Sequence, residues 1–77
     1  MLESKVRLRR PDLIIVTGFG GGSKVGLFRR GILLGVERVG SRPEEVASEI
    51  ERILVDGRRY RCRRERRGYI CKLSRRR

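Results

Sequence analysis

The side chains best equipped for chemistry in this sequence are guanidinium groups, and their spacing says how they are presented. Arg59, Arg61 and Arg63 fall at every second position, and Lys72 lies between Cys71 and Leu73. Alternate residues of an extended chain point to one side, so these four cations read as one patch on a strand pair. Guanidinium forks bind phosphate oxygens two at a time, and an ammonium adds a point charge. The chemistry on offer is therefore anion recognition. Arg66, Arg67, Arg75, Arg76 and Arg77 lengthen the patch, and Arg29 and Arg30, with Arg7, Arg9 and Arg10, extend it elsewhere in the chain. Residues 58–77 hold eleven Lys/Arg against the single acid Glu65, a net +10 out of +12 for the whole chain. A field of that density attracts polyanions and repels itself when nothing neutralises it.

The remaining reactive side chains exclude more than they offer. With no His and two Cys, the chain can assemble neither a four-ligand zinc site nor a His-based dyad or triad. No nucleophile has a base to activate it, so no enzymatic activity, metal or cofactor is expected. Gly18, Phe19, Gly20, Gly21, Gly22, Ser23 and Lys24 follow a hydrophobic strand and invite comparison with a phosphate-cradling loop. Their spacing fits neither the P-loop nor the dinucleotide fingerprint, and a flexible hairpin turn is the preferred reading. Cys62 and Cys71 form either a cross-strand disulfide or two reduced thiols packed as small apolar groups.

Three elements must position these groups. Ser41 followed by Glu44 has capping-box spacing, and Pro43 suits a first helical turn. Val46, Ile50, Ile53 and Leu54 then recur at helical spacing, with Asp56-Gly57 as a stop. An amphipathic helix over residues 42–55 is predicted, its Glu45, Glu49 and Arg52 facing outward. A hairpin over residues 59–74 follows; with Arg66-Arg67 at its centre, residue i pairs with 133 − i, and Cys62 meets Cys71. Alternation then places Tyr60, Cys62, Tyr69, Cys71 and Leu73 on one face, with Arg64 at its rim. Arg59, Arg61, Arg63 and Lys72 share the other with Ile70 and Ser74. Upstream, residues 12–17 read as a buried strand, preceded by an alternating stretch, residues 5–10, that Pro11 bends or ends. Residues 24–39 fit helical spacing, but Gly26, Gly31 and Gly35 favour strand, either one long strand or two broken at Arg29-Arg30-Gly31. The fold expected is α+β: one domain over residues 1–77, a small antiparallel sheet with one helix on one face, and a mobile basic tip at residues 75–77.

Size and composition narrow the partner. Charged residues make up 39% of the 77 and apolar ones 38%, enough for a small patterned core that a staple or partner helps to hold. The absence of Asn and Gln, with 18 Arg to 3 Lys, suits a thermophile. No apolar h-region stands at the N-terminus, so a cytoplasmic location is expected, with association to a ribosome, nucleoid or virion. Both tyrosines fall on the core face, which turns recognition away from base stacking on them and toward phosphate and shape.

Leu34-Gly35-Val36, Ser41-Arg42-Pro43, Glu45-Val46, Glu49-Ile50, Arg52 and Leu54, followed by two short strands, resemble the start of the kinase-associated C-terminal domain of AMP-activated and MARK-type kinases. The likeness covers Leu34 to Leu73; the family's later strands, closing helix and kinase domain are missing. It implies the order strand, capped helix, strands, and contact with regulatory subunits or acidic phospholipids. The residues themselves point first to a non-enzymatic nucleic-acid binder. RNA is preferred over DNA, within a ribonucleoprotein such as a ribosome. The alternatives are a membrane-surface or kinase-regulatory module binding anionic phospholipid, which would want an apolar wedge beside the basic face that the pattern does not supply, and a virion or chromatin-type DNA-binding component.

Overall fold

A computed structural model describes residues 2–75 of the chain; Arg76 and Arg77, expected in the basic tip, lie outside the described residues. Eight elements follow in order: α1 Leu2–Arg9, β1 Leu13–Phe19, β2 Gly22–Arg29, β3 Ile32–Val39, α2 Pro43–Ile50, β4 Leu54–Val55, β5 Arg58–Glu65 and β6 Gly68–Leu73. The strands form one antiparallel sheet in the order β3-β2-β1-β6-β5-β4. Two three-stranded meanders thus meet where β1 pairs with β6, and the class is α+β as expected.

Turn chemistry decides the meanders. Gly20-Gly21, Arg30-Gly31 and Asp56-Gly57 each take positive φ at both positions (56° and 83°, 52° and 79°, 53° and 74°). Such turns match the right-handed twist of the strands they join. Residues 24–39 therefore break into two strands at Arg30-Gly31, where Asp12 Oδ2 accepts the Arg30 N–H at 3.0 Å. The β5–β6 register is the predicted one, with Tyr60 opposite Leu73 and Cys62 opposite Cys71. A disulfide joins the two cysteines, whose Cα atoms are 3.9 Å apart. At Gly68 a Cβ would run into the Val16 carbonyl, so only glycine lets β6 close on β1 here.

Three expectations are corrected. The second helix ends at Ile50, not near residue 55, because Asp56-Gly57 is a hairpin signal. It folds Leu54–Val55 back onto Arg58 and Arg59, and β-branched Ile53 and Val55 suit extended backbone. Ile53 and Val55 still reach the core, by alternation instead of by helical period. The cap lies one residue later than predicted: Glu45 Oε1 accepts the Arg42 N–H at 3.2 Å, and a guanidinium has no acceptor with which to reciprocate. Ser41 instead gives its carbonyl to Ser23 Oγ at 2.7 Å. Finally, the alternating stretch before Pro11 belongs to a helix, α1, where a single helix was expected in the chain. Glu3 and Arg7 pair at 2.9 Å across one turn, Val6 is buried, and Arg10 at φ 54° ends the helix ahead of Pro11.

Both helices lie on one face of the sheet. Val6, Val46, Ala47 and Ile50 pack there against Ile14, Val16, Val25, Leu27, Tyr60 and Cys71. Tyr60 donates its buried hydroxyl to the Pro11 carbonyl at 2.7 Å, tying β5 to the chain that leaves α1. Among the described residues no helix is long and apolar enough to cross a membrane.

Candidate nucleic-acid interface

The strand register fixes what the opposite, helix-free face presents. One row across it runs Arg61, Lys72, Leu13, Phe28, Leu33; the next runs Arg63, Ile70, Ile15, Gly26, Val36. A third runs Glu65, Gly68, Thr17, Lys24, Arg38. Cations therefore stand along β5 and β6 at one side and at the Lys24–Arg38 pair on the other, with an apolar floor between. Leu33 and Val36 are each about half exposed at the β3 end of these rows, three strands from Lys72, an exposed apolar surface on the same face that the sequence pattern did not supply.

The cations of this face are set against one another. Arg61 lies directly opposite Lys72, and Lys24 directly opposite Arg38, cross-strand positions where like charges repel. Arg59, Arg61 and Lys72 make no ion pair or side-chain hydrogen bond among the described residues, while Arg63 meets Glu65 at 2.8 Å and stays largely exposed. On the helix side several basic groups are engaged, though Arg58 Nε is buried there with no partner among the described residues. Lys5 pairs with Glu37 at 2.9 Å, Arg7 with Glu3, and Arg10 with Asp56. Arg29 donates to the Arg9 and Arg10 carbonyls at 3.2 and 3.3 Å, closing the C-terminal end of α1, where a cation also opposes the helix dipole.

Of the residues singled out from sequence, Arg59, Arg61, Arg63 and Lys72 come together on the open face. Arg66 and Arg67 form the β5–β6 turn at its end and are exposed, as is Arg75 beyond β6. Arg29 and Arg30 sit at the opposite end, Arg29 bound to α1 and Arg30 exposed in its turn. Arg7 and Arg10 belong to the helix side. Tyr60 is buried; its phenol is pushed up to about 12, mainly by loss of hydration, with Arg58 lowering and Asp12 raising it. Tyr69 is half-buried on the same face as Tyr60.

From sequence, Phe19 and Lys24 read as part of a glycine loop, with a plain turn preferred; Arg38 and the meeting of all three are missed. Phe19 is half exposed, with Lys24 Nζ 5.2 Å and Arg38 Cζ 5.1 Å from its ring centroid. The available signal was Gly20-Gly21: centring a two-residue turn there pairs Thr17 with Lys24 and puts Phe19 on their face. Comparison of the chain with protein-family models, curated proteins and solved structures finds no match.

Proposed function

We propose that this is a non-enzymatic nucleic-acid-binding protein that holds RNA, in preference to DNA, against its helix-free sheet face as part of a ribonucleoprotein. The observation that carries the reading is the exposed, unpartnered set Arg59, Arg61 and Lys72, with Arg63 beside it, on the face no element covers. Cations held against like charges gain when an outside anion neutralises them. Five strands span about 19 Å, wider than the roughly 12 Å major groove of B-DNA. Both helices lie on the other side, and α2 presents Glu44, Glu45 and Glu49 outward. A broad face with cations along its sides suits the wide, shallow minor groove of an RNA helix or an irregular RNA fold better.

Salt dependence tests the reading. If about six phosphates are neutralised, log affinity against log salt falls with a slope near −5 on a duplex and about −4 on a single strand. A slope near zero refutes it. A second reading, binding of anionic phospholipid, is favoured by one observation: exposed Leu33 and Val36 share the face with the basic row. Polybasic segments gain about 1 kcal/mol per Lys or Arg near an anionic membrane, and apolar groups add to it. Co-sedimentation with phosphatidylserine vesicles, run beside an RNA shift assay, separates the two.

A further inference from the structure

Phe19 closes β1 at the tight Gly20-Gly21 turn and leaves half its surface to solvent, which is unusual for one of only two phenylalanines in a chain with few apolar groups to give away. Its ring lies within cation–π distance of both Lys24 and Arg38. Beside it is a shallow depression of about 390 Å³, lined by the ring, the glycine turn, Arg38 and Val39. Glycines at the turn carry no side chain to block the approach of a ligand to the ring edge. No acid is paired with Lys24 or Arg38 among the described residues. A half-exposed aromatic ring with two acid-free cations over it, which flanking phosphates would draw aside to open the ring, matches the chemistry of a nucleotide: a flat π-system with a phosphate on either side.

We propose that Phe19, Lys24 and Arg38 form a stacking site for one unpaired base, with the two cations taking its flanking phosphates. The proposal rests on the nucleic-acid reading and deepens it, because phosphate and shape recognition by β5 and β6 needs no base contact. The path between the two regions is short. The β1–β2 and β5–β6 turns emerge at the same end of the sheet, and the Gly18 N–H donates to the Arg67 carbonyl at 3.0 Å. An RNA helix lying on Arg61, Arg63 and Lys72 would thus deliver a single-stranded extension across Arg67 to Phe19. Tyr60 and Tyr69, the aromatics first considered for stacking, face the helices and take no part.

The chain contains no tryptophan, so Phe19→Trp installs a unique fluorophore at the site. Two probes are used: an RNA hairpin with a six-nucleotide single-stranded extension, and the same hairpin blunt-ended. Binding is read by mobility shift, and tryptophan emission is followed in parallel. The expected result is that Phe19→Trp emission is quenched by the extended hairpin and little changed by the blunt one. Phe19→Ala is expected to lose roughly 5- to 150-fold in affinity for the extended hairpin alone. Phe19→Tyr should retain wild-type affinity. Binding of both hairpins with unchanged emission, and no effect of Phe19→Ala, overturns the stacking site and leaves the nucleic-acid reading standing. Failure of the wild-type chain to bind either hairpin overturns both. A blue shift of the tryptophan on phosphatidylserine vesicles, without quenching by RNA, assigns the face to lipid and overturns the stacking site.

Discussion

The two faces of the sheet use the same residue types in opposite ways. On the helix side several basic groups meet an acid or a carbonyl, Lys5 with Glu37, Arg10 with Asp56 and Arg29 with the end of α1, although the buried Arg58 Nε has no partner among the described residues. On the open side Arg61 faces Lys72 and Lys24 faces Arg38. Chain neighbours fall on opposite sides of this divide, since Tyr60 is buried and hydrogen-bonded while Arg61 is exposed and unpaired. Charge on the covered face holds the fold; charge on the open face contributes repulsion until a partner arrives. Local net charge does not separate these uses; strand parity decides which face each cation joins.

The largest expected effect comes from reversing charge on the open face. Arg61→Glu with Arg63→Glu should lower affinity for structured RNA roughly a hundredfold or more at low salt, because each guanidinium bond to phosphate contributes about 1.5–3 kcal/mol. Thermal stability should change little, since a glutamate at position 61 gains an opposite charge in Lys72 across the strand while one at position 63 gives up the exposed pair with Glu65. Arg10→Glu, on the covered face, should do the reverse: it loses the pair with Asp56 and lowers the melting temperature, with affinity changed only a few-fold. Loss of both stability and affinity in the Arg61/Arg63 variant would mean that the open face is structural.

Next in size is the staple between β5 and β6 on the covered face. Cys62→Ala with Cys71→Ala removes a cross-link closing ten residues, worth about 2–3 kcal/mol in the chain-entropy account, and denaturant unfolding should show that loss. RNA affinity, measured where the variant is still folded, should persist, because both cysteines point toward the helices. Tyr60→Phe should cost about 1–2 kcal/mol by leaving the Pro11 carbonyl unmatched. The sign of its pH dependence follows from the raised phenol. The folded state holds the proton up to about 12, whereas an unfolded tyrosine releases it near 10. Stability from Tyr60 is therefore complete below pH 10 and is lost as pH climbs to about 12; the Phe variant should lack that loss.

Much of this arrangement is legible in the chain, and the illegible parts have physical causes. The β5–β6 register follows from centring the turn on Arg66-Arg67 and from strict alternation, both local signals, and it brings Cys62 opposite Cys71. The shortened α2 traces to an ambiguous dipeptide: Asp56-Gly57 ends a helix or turns a hairpin, and only the later pairing of Leu54 with Arg59 selects the hairpin. The stretch Lys5, Val6, Arg7, Leu8, Arg9 alternates like a strand, yet Leu8 remains mostly exposed and Val6 alone is buried, a balance set by the sheet beneath α1. The role of Phe19 is not legible because a lone aromatic beside three glycines carries no period. Its neighbours Lys24 and Arg38 come from two other strands, and β1, β2 and β3 must be registered together before the three meet.

The smallest effect is also the sharpest comparison, because one chemical change can be made on each face. Glu37 pairs with Lys5 under α1, both partly solvated, so Glu37→Gln should cost about 0.2–1 kcal/mol and leave RNA affinity as it is. Glu65 pairs with Arg63 on the open face at 2.8 Å, so Glu65→Gln frees that guanidinium for phosphate. Its affinity should rise about two- to fivefold, with stability nearly unchanged. Each variant alters net charge by the same amount, and at 0.15 M salt exposed charges more than about 8 Å apart are largely screened. Equal gains in affinity from both would show that RNA senses only total charge, and the sidedness drawn from strand parity would have no functional meaning.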